Sequence, residues 1–173
     1  MKTIYTALAR YNRSVNESVR EILTGLSKEQ LFMETKAFYH SIFDTCFHQL
    51  MSDFAWLRRY KGVFSDNKHL KESGLLLKEE KDFREEFDRD YKKIFETQKS
   101  IDILIEQFIN DLKDENYASS FKYVNYKGVL MERILWQTLL HWFNHQTHHR
   151  GQISVFLDMM GVTNDYSSLL TRI

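Results

Sequence analysis

The chain has 173 residues, enough for one well-packed domain and short for two. Its 24 basic and 24 acidic residues balance, so no net field draws it to nucleic acid or to anionic lipid. It has no proline and only six glycines, which predicts long uninterrupted helices, and no window approaches the roughly 18 apolar residues of a membrane span. The first residues, MKTIYTALARYN, hold no apolar run long enough for a secretory signal. One cysteine, Cys46, excludes an internal disulfide and suits a reducing compartment, so the expected location is cytoplasmic.

In chain order, Tyr5, Leu8, Tyr11, Val15, Val19, Ile22 and Leu23 recur at helical spacing and predict a first helix from about Thr3 to Gly25. Ser27-Lys28-Glu29-Gln30 has the spacing of a capping box and predicts a short turn. A second helix is predicted over Ala37 to Tyr60, with Phe43, Phe47, Leu50, Phe54 and Leu57 as its bulky residues. The face around His48 carries Asp44, Thr45, Ser52 and Ala55, which are small or polar, with Met51 as the main exception, and it leaves room for a cavity. Residues 61–77 read as a connecting loop. A long third helix is predicted from Lys78 to Leu112, its densely charged first half being a solvated face. Phe121 to Tyr126 alternates weakly and allows a short β-hairpin. A last helix is predicted from Met131 to Met160, ended by Gly161, and the tail 162–173 folds over one end. The fold class is all-α: a single domain, residues 1–173, built as a four-helix bundle.

The chemistry concentrates in the last helix, where four of the seven histidines fall between His141 and His149. His141, His145 and His149 each lie about 40° from the next on one face, which Thr138, Trp142, Ile153, Phe156 and Met160 mark as inward. His148 points elsewhere. Two histidines at i and i+4 can reach one metal ion, but His141 and His149 are roughly 12 Å apart along the axis and cannot share one. The spacing therefore allows His141 with His145, or His145 with His149, plus a ligand from elsewhere. His48 is the best outside candidate, ahead of His40 and His69. Three imidazoles without a thiolate suit a divalent ion such as Zn, Ni, Fe or Mn, with further positions left to water or substrate. The bland alternative is a polar core in which the histidines only hydrogen-bond. Gln146 stands where the zinc-protease motif has its general-base glutamate, and a glutamine cannot take a proton, so a peptidase is excluded.

Asn144-His145 followed by His149-Arg150-Gly151-Gln152-Ile153 resembles the final helix of the DinB family. Tyr11-Asn12, His48, Asn125, Gly128 and Asp165-Tyr166 extend the resemblance over nearly the whole chain. The resemblance implies an up-down-down-up four-helix bundle, a homodimer, and a divalent metal on His48, His145 and His149. It leaves His141 as a packing or supporting residue.

The resemblance also implies a small-molecule substrate and a thiol-dependent reaction, because family members of known activity are mostly S-transferases using low-molecular-weight thiols. A metal-dependent hydrolase with Asp44 as its base is the first alternative, and a non-catalytic metal-stabilised binding protein the second. On the transferase reading, Tyr11, Trp142 and Phe156 join the small-residue face of the second helix as the pocket wall.

Overall fold

A computed structural model describes residues 1–87 and 89–173. Its long helices are α1 (Lys2–Thr24), α3 (Ile42–Val63), α6 (Tyr91–Asp111) and α7 (Leu135–Met159). Short helices α2 (Lys28–Leu31), α4 (Lys68–Glu72) and α5 (Glu80–Phe87) lie in the connections, and an antiparallel hairpin of β1 (Ser120–Val124) and β2 (Leu130–Ile134) precedes α7.

Helix α1 packs against α6 and α7, and α3 packs against the same two, so the core lies between these four elements. Val15, Leu23, Leu50, Leu57, Ile101, Phe108, Leu139 and Ile153 fill it and are fully buried. Burying one such side chain stabilises the fold by about 1.5–3 kcal/mol. Helix α5 extends this core by laying Phe83 on Phe54 of α3, with ring centroids 4.2 Å apart.

Local chemistry moved several predicted boundaries. The second helix starts at Ile42 rather than Ala37, because Ser41 caps it: Ser41 Oγ accepts the Asp44 N–H at 3.1 Å. The helix predicted over Lys78 to Leu112 is two helices, because Asp90 accepts from the Lys92 and Lys93 N–H groups and starts α6 afresh. Beside that cap, Arg89 has φ 61°. Met131 to Ile134, predicted as helix, is strand β2, with Tyr123 paired to Met131. The turn explains it: Asn125 Oδ1 accepts the Lys127 and Val129 N–H groups, and Gly128 takes φ 75°. The loop 61–77 contains α4 and a 3₁₀ turn, pinned down by buried Leu70 and Leu76.

A buried polar layer crosses the core. Asp102 of α6 accepts from Asn16 Nδ2 at 2.7 Å and from Arg20 Nη1 at 2.6 Å. Arg150 of α7 donates to Asn12 Oδ1 at 2.5 Å and to Asn16 Oδ1 at 3.0 Å, and Tyr166 of the tail donates to its carbonyl at 3.0 Å. Burial pushes Asp102 up to about 6 against the pull of Arg20, which leaves it ionised at neutral pH. Helix α7 is thus held on two sides by polar contacts that set its rotation, and with it the direction of its histidines.

Candidate metal centre

Two adjacent turns of α7 carry His145 and His149, and α3 brings His48 across to meet them. His48 Nε2 lies 3.1 Å from His145 Nε2, and His149 Nε2 lies 3.0 Å from it. One nitrogen of each ring falls within 4.8 Å of the others. Nitrogen ligands about 2.1 Å from one ion stand roughly 3.0–3.4 Å apart, so the cluster has the dimensions to hold one.

The surroundings orient the rings. Gln152 Oε1 sits 2.7 Å from His149 Nδ1, which places the Nδ1 proton outward and leaves the Nε2 lone pair facing the cluster. Tyr39 stacks on His48 at 4.3 Å between centroids and meets the edge of His149 at 5.4 Å. A loop holds Tyr39 there: the Thr35 N–H donates to the His40 carbonyl at 2.6 Å and Thr35 Oγ1 to the Tyr39 carbonyl at 3.4 Å.

Burial, and then the neighbouring imidazoles, push His145 down to about 3, and burial also lowers His149. Neutral rings present lone pairs to one point. Among the described residues His145 Nδ1 is buried without a protein partner. Converging neutral nitrogens satisfy one another poorly, whereas a divalent cation satisfies all of them.

The other histidines lie apart from this point. His141, expected to face inward, is exposed, with its ring 6.1 Å from His145 and 5.8 Å from Trp56. His148 is exposed, as its angle predicts. His40 lines the neighbouring cavity, and His69 lies 3.7 Å from Asp111.

That cavity has a volume of about 750 Å³ and opens beside His48 and His145. The small-residue face of α3 forms its floor through Asp44, Met51, Ser52 and Ala55. Tyr11, Trp142 and Phe156, expected in the wall, are absent from the lining; Phe38, Tyr39, Trp56, Tyr123 and Tyr126 take their place. Trp142 instead points the other way, donating from Nε1 to Asp53 Oδ1 at 2.7 Å.

Asp53 is the functional-layer residue that the sequence reading missed. It is fully buried, accepts also from Gln146 Nε2, and is pushed well above the carboxylate range, chiefly by burial. Gln146 further takes the Gln49 Nε2–H on its side-chain oxygen at 3.0 Å. Both glutamines neighbour a cluster histidine in sequence, so this clamp fixes the spacing between α3 and α7 at the cluster. The available signal was an acidic residue on a face otherwise occupied by Leu50, Phe54 and Leu57. Tyr39 was also missed: the second helix predicted from Ala37 places it in the first turn, whereas it lies in the loop before Ile42.

A helical protein with three imidazoles converging beside an aromatic-walled cavity is the class that the fold and site define. The sequence profile of the DinB family matches residues 1–170, and the chain belongs to that family. Protein DinB of Bacillus subtilis (strain 168) is similar at 28% identity over 156 residues, spanning 89% of this chain and 84% of that one. Among the described residues no helix is long and apolar enough to cross a membrane.

Proposed function

We propose that this DinB-family chain is a metal-dependent thiol S-transferase. His48, His145 and His149 would hold the divalent ion (Zn, Ni, Fe or Mn), a low-molecular-weight thiol would be the cosubstrate, and a small electrophile would occupy the cavity. The observation that carries this reading is the convergence of three imidazoles at a cavity of about 750 Å³. When bound, the ion would supply Lewis acidity that lowers the pKa of the thiol.

The chain's own residues do the rest. Gln152 sets the His149 tautomer, Tyr39 shields the ring of His48, and the aromatic wall excludes water from one side of the cavity. Cys46 is buried and its thiol is pushed up to about 12, so the nucleophilic sulfur has to come from outside the chain. We read residues 1–173 as one domain in which α1, α3, α6 and α7 form an up-down-down-up four-helix bundle, acting as a cytoplasmic homodimer.

Titration of cobalt-loaded protein with bacillithiol, cysteine and coenzyme A tests the reading. A near-ultraviolet sulfur-to-cobalt band that saturates with at least one thiol is expected, and is absent after His145→Ala. No band with any thiol would remove the thiol chemistry. Asp44 on the cavity wall supports a hydrolase as the second reading. Ester or amide hydrolysis without thiol, abolished by Asp44→Ala, would favour that reading.

A further inference from the structure

We propose that Arg59 forms an oxyanion-recognition subsite at the far end of the cavity, so that the molecule bound there carries a carboxylate. The inference rests on the cavity being the substrate site and is independent of thiol chemistry.

His48 and Arg59 are eleven residues apart on α3. Eleven steps of 100° return within about 20° of the starting direction, and they span about 16 Å of helix axis. Both side chains line the same cavity, and the small residues Ser52 and Ala55 lie between them and keep the floor open. The cavity is therefore an elongated trough, with the imidazole cluster at one end and a guanidinium at the other.

Arg58 also lies over aromatic rings, Phe54 and Phe83, but outside the cavity lining; the setting of Arg59 differs from that of Arg20 and Arg150. Arg20 is paired with Asp102 at 2.6 Å, and Arg150 donates to Asn12 and Asn16. Arg59 instead lies against an aromatic pair, 4.7 Å over Trp56 and 5.0 Å over Tyr123. Among the described residues, no carboxylate pairs with it and no protein acceptor takes its N–H groups. Burial already weighs against its charge.

A half-desolvated guanidinium without a counter-ion is costly, and an oxyanion meeting its N–H edge in the plane of the fork offsets that cost. Among the described residues the one carboxylate on the cavity wall is Asp44, which lies beyond His48 from Arg59 and accepts from Ser41 Oγ at 2.6 Å. Trp56 and Tyr126 suit a flat apolar body between the two ends.

Calorimetric titration with 4-phenylbutanoate and with 4-phenylbutan-1-ol, on zinc-loaded and on metal-free protein, tests the subsite. The carboxylate should bind at least about tenfold tighter than the alcohol in both metal states. Arg59→Gln should bring the two to within about twofold, and Arg59→Lys, which keeps charge but loses the fork, should retain part of the preference. Equal binding of the two compounds, or no binding of the carboxylate, overturns the proposal. So does a preference that survives Arg59→Gln with the fold intact by circular dichroism, or one that disappears with the metal, since the anion would then be a metal ligand. Absence of the sulfur-to-cobalt band would end the transferase reading and leave this result standing.

Discussion

Gln152 Oε1 lies 2.7 Å from Nδ1 of His149, less than one turn further along the same helix. The two residues belong to one stretch, His149-Arg150-Gly151-Gln152, and their contact turns an i, i+3 spacing into a fixed imidazole tautomer. Gln152→Leu should therefore lower zinc affinity about 10–100-fold while leaving the stoichiometry unchanged. Competition with a calibrated chelator measures it. Unchanged affinity would mean that the glutamine does not orient the ring.

Metal content separates the histidines. Purified protein should carry roughly one divalent ion per chain, and His48→Ala or His145→Ala should lose it. His148→Ala should retain it, because that side chain is exposed and points away from the cluster. Elemental analysis of the four proteins, each checked for folding, decides the assignment. Retention of metal by His145→Ala would sink it.

The pH dependence of the metal-free protein follows from His145. Its ring is pushed from 6.5 to about 3 by burial first and by the adjacent imidazoles second. Between those values the unfolded chain binds a proton that the folded one refuses, so stability rises with pH up to about 6.5 and then levels. The half-exposed setting screens the effect and reduces its size. Urea midpoints from pH 4 to 8 should show the rise, and His145→Gln should flatten it.

Asp53 has the opposite sign. Burial holds its carboxyl well above 3.8, with Asp102 pushing the same way and Trp142 and Gln146 pulling back. Its Oδ2 is buried without a protein partner among the described residues. The folded state keeps a proton that the unfolded state releases, so this contribution is full below 3.8 and is lost as pH rises through the raised value. Relative to wild type, Asp53→Asn should gain stability as pH rises above 3.8, because it accepts from Trp142 without titrating. Asp53→Ala should cost about 2–4 kcal/mol at low pH, by orphaning Trp142 Nε1 and Gln146 Nε2, and less as pH rises above 3.8. A pH-independent difference between wild type and Asp53→Asn would show that Asp53 is ionised in the fold.

Much of this was legible from residue order. The long helices follow from apolar spacing in a chain without proline, and the i, i+4 pairing of His145 with His149 needs only the rise and turn of one helix. The small-residue face of α3 was readable in the same way, and it is the cavity floor. Spacing left His145 free to pair with His141 or His149 and made His48 the best outside candidate; the DinB resemblance chose His149. Where prediction failed, short-range hydrogen bonds overrode periodicity: Asp90 restarted a helix, Ser41 delayed one, and Asn125 with Gly128 made strand of four residues expected to be helical.

What the sequence alone determined is therefore the helical character, the residue types at the cluster, and the absence of a chain-borne base at position 146. Only the tertiary structure decided how far α3 slides and turns against α7, because that depends on contacts between residues about a hundred positions apart. Gln49, Asp53, Trp142 and Gln146 set that register. Through it the three imidazoles meet at one point, while His141 is left outside the cluster on the cavity wall.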